Sequence, residues 1–481
     1  MRVMLINPPP FQRVDQYDTP DFPRLGLACV AGALEACGIG PVAVIDAKLE
    51  RLGYTEVLDR VRSFKPDIVG LTAMTNEVLQ AARVAGDLKR ISPSIATAIG
   101  GVHVSVLPVD TLAEFPAFDY GVVGDGEETF PDLVAALGRS GDPGALPGLV
   151  VRRDGTPRLT PARARTDDLD TFGRPAWHLF PQASRYLVST QRGCPFTCQF
   201  CVNPNGKVVR RRSVERVVEE MRGLVERFHA QSFYLCDEVF TLDRARTHRL
   251  LDAMIAAGIP RTVCWTAATH VNCVDRELFA KMKTAGCSLC EIGIETGDLA
   301  AMAGLGKGVT IERVRAARRD AAAAGLPFGA LMILGHPGET WESAQRTIDL
   351  AVELNADQTI FGIMVPYPGT AVAEMARRGE SGYRLIAADW NDYNKQHGNA
   401  LELTHLTRGQ LELLQAMGYV KVLLGNRRFA DFARFSWKFR REGMAVLSKL
   451  ATGRRPRARP PGGATETVEG VAPLSRPPRR K

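Results

Sequence analysis

Ser189-Thr-Gln-Arg-Gly-Cys-Pro-Phe-Thr-Cys-Gln-Phe-Cys-Val202 sets Cys194, Cys198 and Cys201 at the spacing CxxxCxxC. This spacing gathers three thiolates on one tight loop, enough to hold three irons of a four-iron, four-sulfur cluster. Such clusters are ordinarily held by four cysteines. A compact trio with no fourth beside it therefore leaves one iron open to a small-molecule ligand, which points to chemistry rather than electron storage. The alternatives are a zinc knuckle and buried free thiols. Zinc takes a fourth Cys or His close by in sequence, and the nearest histidines, His178 and His229, lie well outside the loop.

The loop resembles the signature of the radical S-adenosylmethionine (SAM) family, CxxxCxΦC, with an aromatic before the last cysteine, here Phe200. The resemblance implies a 4Fe-4S cluster on Cys194, Cys198 and Cys201, with SAM chelated at the open iron through its amino and carboxylate groups. It also implies cleavage of SAM to a 5′-deoxyadenosyl radical and an external electron donor of flavodoxin or ferredoxin type.

Around and beyond this loop, strand-like runs at Tyr186–Gln191, Ser232–Cys236, Val263–Ala268, Leu289–Ile294, Phe328–Leu334 and Thr359–Val365 alternate with helical patterns. Six βα units in succession predict a partial (β/α)6 barrel over residues 186–379. Barrel chemistry gathers at the C-terminal ends of strands. Those ends carry the cysteine loop, Asp237-Glu238, His270, Glu295, Gly335-His-Pro-Gly-Glu-Thr340 and Pro366-Tyr-Pro-Gly-Thr370.

Several of these segments are similar to the family's. Cys236-Asp-Glu-Val-Phe-Thr241 implies Asp237 or Glu238 near the SAM amino group, an anion beside an ammonium. Gly293-Ile-Glu-Thr-Gly297 implies Glu295 near the ribose, and Ile333-Leu-Gly335 with Pro337-Gly-Glu339 implies Gly335 beside the adenine. For each carboxylate the alternative is a salt bridge at the barrel rim. His270 stands where related sequences often carry arginine, and histidine is mostly neutral near pH 7, which puts a charged contact to the SAM carboxylate in doubt. Tyr367 reads as a packing residue. Cys287 reads as the end of a helix-turn and Cys290 as part of a strand; no cysteine follows Cys290, which excludes a C-terminal auxiliary cluster.

Upstream, residues 1–140 hold five alternating units with strands expected at Arg2–Ile6, Pro41–Ile45, Asp67–Leu71, Ile95–Ile99 and Phe118–Val122. This pattern predicts a doubly wound, flavodoxin-like α/β domain whose ligand sits beyond the carboxyl ends of the strands. Asn7-Pro-Pro-Pro10, Pro23-Arg-Leu-Gly-Leu27, Gly100-Gly-Val-His103 and Gly124-Asp-Gly-Glu127 together resemble the cobalamin-binding domain fused ahead of some radical SAM barrels. The resemblance implies Gly100, Gly101, His103, Gly124, Gly126 and Glu127 as cobalamin contacts. The DxHxxG motif of other cobalamin proteins is absent, since Gly101 stands where its Asp would be. His103 is therefore expected to hydrogen-bond within its loop rather than ligate cobalt. No GxGxxG follows the first strand and no GxxxxGK[ST] occurs, which argues against a dinucleotide or nucleoside triphosphate.

Residues 141–185 are proline-rich and read as a linker carrying a small hairpin at Leu149–Leu159, turned at Asp154-Gly155, with Trp177 in a local core. Residues 380–451 read as a helical segment. There, Phe429, Phe432, Phe435 and Phe439 lie among Arg427, Arg428, Arg434, Lys438, Arg440 and Arg441. Such a helix packs on the barrel mouth or, alternatively, lies on a membrane surface. Residues 452–481 are expected to be a disordered basic tail.

The charge of +8 over 481 residues does not imply nucleic acid. Eight basic residues against Glu466 and Glu469 lie in the tail, leaving the body nearly neutral. Ten cysteines in a chain of this size suit a reducing cytoplasm. The short apolar start, stopped by Pro8, reads as a strand rather than a signal peptide, and no run of about 18 apolar residues is present to span a bilayer.

The resemblance implies an enzyme acting on an unactivated carbon of a small molecule or of a lipid or pigment precursor. Methyl transfer is the commonest outcome it implies: one SAM methylates reduced cobalt, and a second supplies the radical that removes hydrogen from the substrate. Cobalamin-dependent cyclisation or ring rearrangement is the alternative within the class, and a non-catalytic cobalamin or redox sensor the alternative outside it.

Overall fold

The computed structural model describes residues 1–11, 19–396 and 398–438. Val3-Met-Leu-Ile-Asn7 is buried at every position, as a central strand covered on both faces must be. It forms β1 (Val3–Asn7). The next four apolar runs form β2 (Val42–Asp46), β3 (Ile68–Thr72), β4 (Ala96–Gly100) and β5 (Tyr120–Val122). These five strands are parallel in the order β2-β1-β3-β4-β5. That is the flavodoxin-like arrangement, with its topological switch point between β1 and β3.

The hairpin expected within a linker instead belongs to this sheet. Strands β6 (Leu149–Arg153) and β7 (Thr156–Leu159) add antiparallel to β5, extending it to seven strands. Leu149, Val150 and Val151 are buried, so the hairpin covers an edge that would otherwise expose unpaired backbone.

The second sheet starts with β8 (Arg185–Val188). Two short strands, β9 (Gln191–Arg192) and β10 (Arg210–Arg211), pair antiparallel and close the base of the cysteine loop. Strands β11 (Ser232–Leu235), β12 (Cys264–Thr269), β13 (Cys287–Glu295), β14 (Phe328–Leu334) and β15 (Gln358–Ile363) follow. With β8 they make six parallel strands in chain order, the expected partial barrel. Cys287 opens β13 rather than closing a helix-turn.

One core runs from a face of the first sheet into the barrel, joining Leu5 and Phe130 to Trp177, Tyr186 and Trp265. Trp177 packs edge-on against Tyr186 at 5.4 Å. The segment before it lies on helix Leu25–Ala36, where Ala176 N donates to Ala28 O (2.9 Å). Gly32 makes this approach feasible, because a Cβ there would fall 1.8 Å from Arg174 O.

After the barrel, β16 (Tyr383–Leu385) and β17 (Leu401–Leu403) form a hairpin. The segment between them reaches both the N-terminal domain and the barrel sheet. Trp390 Nε1 donates to Glu114 (2.9 Å), and Ile363 N at the end of β15 donates to Lys395 O (3.0 Å).

Helix Arg408–Gly425 packs on the edge strand β15, with Leu411 beside Gly335 just past the end of β14. Tyr419 accepts from Phe361 N (3.1 Å) and Gln415 donates to Phe361 O (2.6 Å). Phe435, on helix Phe429–Lys438, packs on Tyr419, while Phe429 and Trp437 are exposed. Phe439, Arg440, Arg441 and the 452–481 tail lie outside the described residues. Among the described residues no helix is long and apolar enough to cross a membrane.

Candidate functional site

The cysteine loop leaves β9 through Gly193 and is held from inside. Cys194 N donates to Gly206 O (3.0 Å), and Asn203 Nδ2 donates to Cys194 O (2.9 Å) and Gly206 O (2.8 Å). Gln199 N reaches across to Leu305 O (3.1 Å).

Burial raises the Cys198 thiol to about 11, and the charges of Cys201 and Cys194 add to the shift while Lys307 opposes it. Burial likewise raises Cys201, with Cys194 again in its field. The three thiols thus lie within one another's electrostatic reach on the loop. All ten cysteines are free. Among the described residues no group of three or more Cys, His, Asp or Glu side chains is gathered as a single-ion site, and no fourth ligand for zinc lies on the loop. Cys273, just after β12, lies within the field of Cys194, a neighbour the sequence reading did not single out.

Glu295 ends β13 in a left-handed conformation, φ 74°. Its buried carboxylate pairs with Lys307, whose ammonium also donates to Gly293 O (2.6 Å). Lys307 was missed in the sequence; flanking Gly306 and Gly308 were the one local signal.

His270 stacks on Phe196 of the cysteine loop, with ring centroids 3.9 Å apart and planes at 6°. Its Nδ1 accepts from Asn272 N (3.2 Å), and its Nε2 lies 3.2 Å from Lys307 O. Burial, helped by the Lys307 charge, pushes it down to about 4. It is neutral near pH 7, and Lys307, with Lys395 near Cys201, supplies positive charge beside the cluster loop. Gly335, just past the end of β14, donates its N–H to the Glu339 carboxyl. Burial raises that carboxyl to about 8.

The two carboxylates expected near the SAM amino group part company. Asp237 is buried and spent on the scaffold, accepting from Thr190 N (2.7 Å), Thr190 Oγ1 (2.6 Å) and Gln191 N (3.1 Å). It holds the turn from β8 into β9 and has no free face for a ligand. Glu238 accepts from Gly193 N (3.1 Å) and Asn205 Nδ2 (2.6 Å), and it borders a cavity.

That cavity, of about 310 Å³, lies at the switch point where the carboxyl ends of the first sheet meet the barrel. Gly100, Gly101, Gly124, Gly126, Glu127 and Glu238 line it, together with Arg192. Ser105 and Cys29, neither singled out in the sequence, line it too. Ser105 Oγ ties the glycine loops together, donating to Gly101 O (2.8 Å) and accepting from Gly124 N (3.1 Å).

His103 does not line the cavity, and it is not the hydrogen-bonding loop residue expected. It is buried on helix Val102–Val106 with neither ring nitrogen partnered, edge-on to Trp390 at 4.9 Å. Desolvation lowers it to about 4, so its neutral ring serves as packing. Glu127 borders the cavity, but its carboxylate accepts from Arg192 (2.5 Å).

Residues 18–134 match the B12 binding domain, and residues 188–351 match the radical SAM superfamily. An uncharacterized methyltransferase of Pyrococcus horikoshii is 31% identical over 88% of this chain and 93% of its own. The chain belongs to the B12-binding radical SAM family. An anaerobic magnesium-protoporphyrin IX monomethyl ester cyclase of Rubrivivax gelatinosus is 28% identical over 82% of this chain and 72% of its own. The fold is shared with the radical SAM methyltransferase TsrM of Kitasatospora setae, solved with cobalamin and a 4Fe-4S cluster. The TM-score is 0.68 at 20% identity, over 85% of each chain.

The side chains of this B12-binding radical SAM protein fit the family's groups. Three cysteines lie on one loop within reach of one another's charge, glycine loops wall a cavity at the switch point, and among the described residues no histidine lines that cavity.

Proposed function

We propose that this protein is a cobalamin-dependent radical SAM C-methyltransferase acting on an unactivated carbon of a small molecule. Residues 1–140 and 186–379 would form the cobalamin-binding and radical-generating units. The observation that carries the reading is the shared border of the two sites. Arg192, two residues before Cys194, lines the cavity at the end of the first sheet, and Glu238 borders the same cavity while holding Gly193 N.

When bound, cobalamin, the cluster and SAM supply a transferable methyl group and a hydrogen-abstracting radical. The protein's residues bind, orient and exclude water. Cys194, Cys198 and Cys201 hold the cluster. Lys307 and Glu295 offer charged contacts to SAM, Gly335 lets a flat ring lie on backbone, and Gly100, Gly101, Gly124 and Gly126 let a large ring lie close to backbone. Asp237 keeps the turn into β9 in place, and the segment carrying Trp390 and Lys395 ties the N-terminal domain to the barrel sheet. A small reductase of flavodoxin or ferredoxin type in the cytoplasm would supply electrons.

Likeness to the cyclase supports a second reading, ring formation without methyl transfer. Anaerobic protein reconstituted with iron, sulfide and hydroxocobalamin, given reductant and SAM, separates the two by mass spectrometry. Methyl transfer predicts both S-adenosylhomocysteine and 5′-deoxyadenosine, the latter lost in Cys198→Ala. 5′-Deoxyadenosine with no S-adenosylhomocysteine would reject methyl transfer in favour of the second reading.

A further inference from the structure

Strands β9 and β10 set Arg192 directly opposite Arg210. Like charges opposite one another on a sheet repel, yet this pair is buried or nearly so, with side chains 19% and 2% exposed. The compensation comes from the other domain. Asp125 stands between the two guanidiniums, accepting from Arg192 Nη1 (2.9 Å) through one oxygen and from Arg210 Nη1 (2.6 Å) through the other. Glu127 accepts from Arg192 Nη2 (2.5 Å), and Arg210 Nη1 also donates to Thr166 O (3.1 Å). Two cations and two anions thus form a neutral quartet, in which Arg210 is held through Nη1 alone while its buried Nε and Nη2 have no partner.

Each side of the quartet belongs to a different cofactor's housing. Asp125 and Glu127 flank Gly126 in the glycine loop that walls the cavity. Arg192 precedes Gly193-Cys194, so any ligand that fixes the Cys194 thiol also fixes where its guanidinium stands.

We infer that Arg192 and Arg210 are positioning residues that lock the cobalamin-cradling loop onto the cluster loop, so that cluster and cobalamin bind with positive linkage through Asp125 and Glu127. The inference rests on the cofactor reading above. With the cluster in place, Arg192 is held where Asp125 and Glu127 need it, and Gly124 and Gly126 keep the shape of the cavity wall. Without it, the cysteine loop is held only by hydrogen bonds such as those of Asn203 and Gln199, and the two carboxylates have a less firmly placed partner. Linkage is reciprocal, so cobalamin must protect the cluster by the same factor.

The test is the dissociation constant of hydroxocobalamin, by equilibrium dialysis, for full-length protein with a reconstituted cluster and after chelator stripping. Iron release to a chelator, with and without hydroxocobalamin, gives the reciprocal measurement on the unaltered chain. Stripping is expected to weaken cobalamin binding about five-fold or more, and cobalamin to slow iron release. In Arg192→Met or Asp125→Asn the affinity should no longer depend on the cluster. A purely structural arginine would instead weaken binding equally in both forms, which would overturn the inference.

Equal affinities with and without cluster in the unaltered chain, with iron release indifferent to cobalamin, would also overturn it while leaving the proposed function standing. Failure of hydroxocobalamin to bind in either form would remove both.

Discussion

Replacing Asp237 by Ala separates a scaffold role from the cofactor role that the sequence suggested. The carboxylate is 4% exposed and accepts Thr190 N at 2.7 Å, Gln191 N at 3.1 Å and Thr190 Oγ1 at 2.6 Å. Arg246 completes the arrangement, donating to Thr190 O (2.9 Å) and Arg212 O (2.9 Å). Removing the carboxylate strands two buried backbone N–H groups, each costing about 1–3 kcal/mol. The hydroxyl of Thr190 also loses its acceptor.

The expected loss is about 4 kcal/mol, and a unit of this size shifts by about 2–4 °C per kcal/mol. Thermal unfolding of Asp237→Ala should therefore fall by about 8–16 °C. Asp237→Asn keeps the shape and one acceptor oxygen, so after reconstitution its SAM affinity by equilibrium dialysis should stay within about two-fold of the unaltered chain. The reasoning would be refuted if Asp237→Ala melted normally while either variant bound SAM ten-fold more weakly, because the carboxylate would then be meeting the ligand rather than the turn.

Two further perturbations test the site. Burial raises Glu339 to about 8, far above the ordinary carboxylate value of about 4.3. The folded state therefore holds this proton where the unfolded chain releases it, and the residue's contribution to stability declines as pH rises from about 4.5 to about 8. In Glu339→Gln that decline is absent, so its melting temperature should gain on the unaltered chain between pH 5 and pH 8; a constant gap would contradict the neutral carboxyl. Gly101 adopts φ 100°, and a Cβ there would stand 2.7 Å from Ala73 O. Gly101→Ala is expected to raise the hydroxocobalamin dissociation constant at least about ten-fold, since strain of about 1–3 kcal/mol plus the clash displaces the cavity wall; iron content should be unaffected, and unchanged affinity would contradict the close approach.

Much of the architecture was legible in local pattern. The CxxxCxxC spacing, the five N-terminal strands and the six barrel strands depend on neighbours a few residues apart. Alternation of apolar runs with helical periods predicted every one of those strands to within a few residues at its ends. The glycine loops were legible because backbone that must turn sharply or lie close to another chain segment excludes most side chains.

What the pattern did not contain was partnership across distance. Asp237 and Glu238 are adjacent and chemically alike, and only the direction in which each leaves the end of β11 sends one into the scaffold and the other to the cavity. His103 sits in the expected glycine loop, yet packing against Trp390, from beyond the barrel, turns it away from the ligand space. The hairpin Leu149–Leu159 could be read locally as a hairpin, but its membership of the first sheet depends on the edge offered by β5. Lys307 meets Glu295 because the loop after β13 folds back, and Arg192 meets Asp125 across 67 positions. Short-range backbone geometry is written in the spacing of residue types; charge pairing and burial are settled only when the two sheets close on a common core and each buried charge must find a counter-charge there.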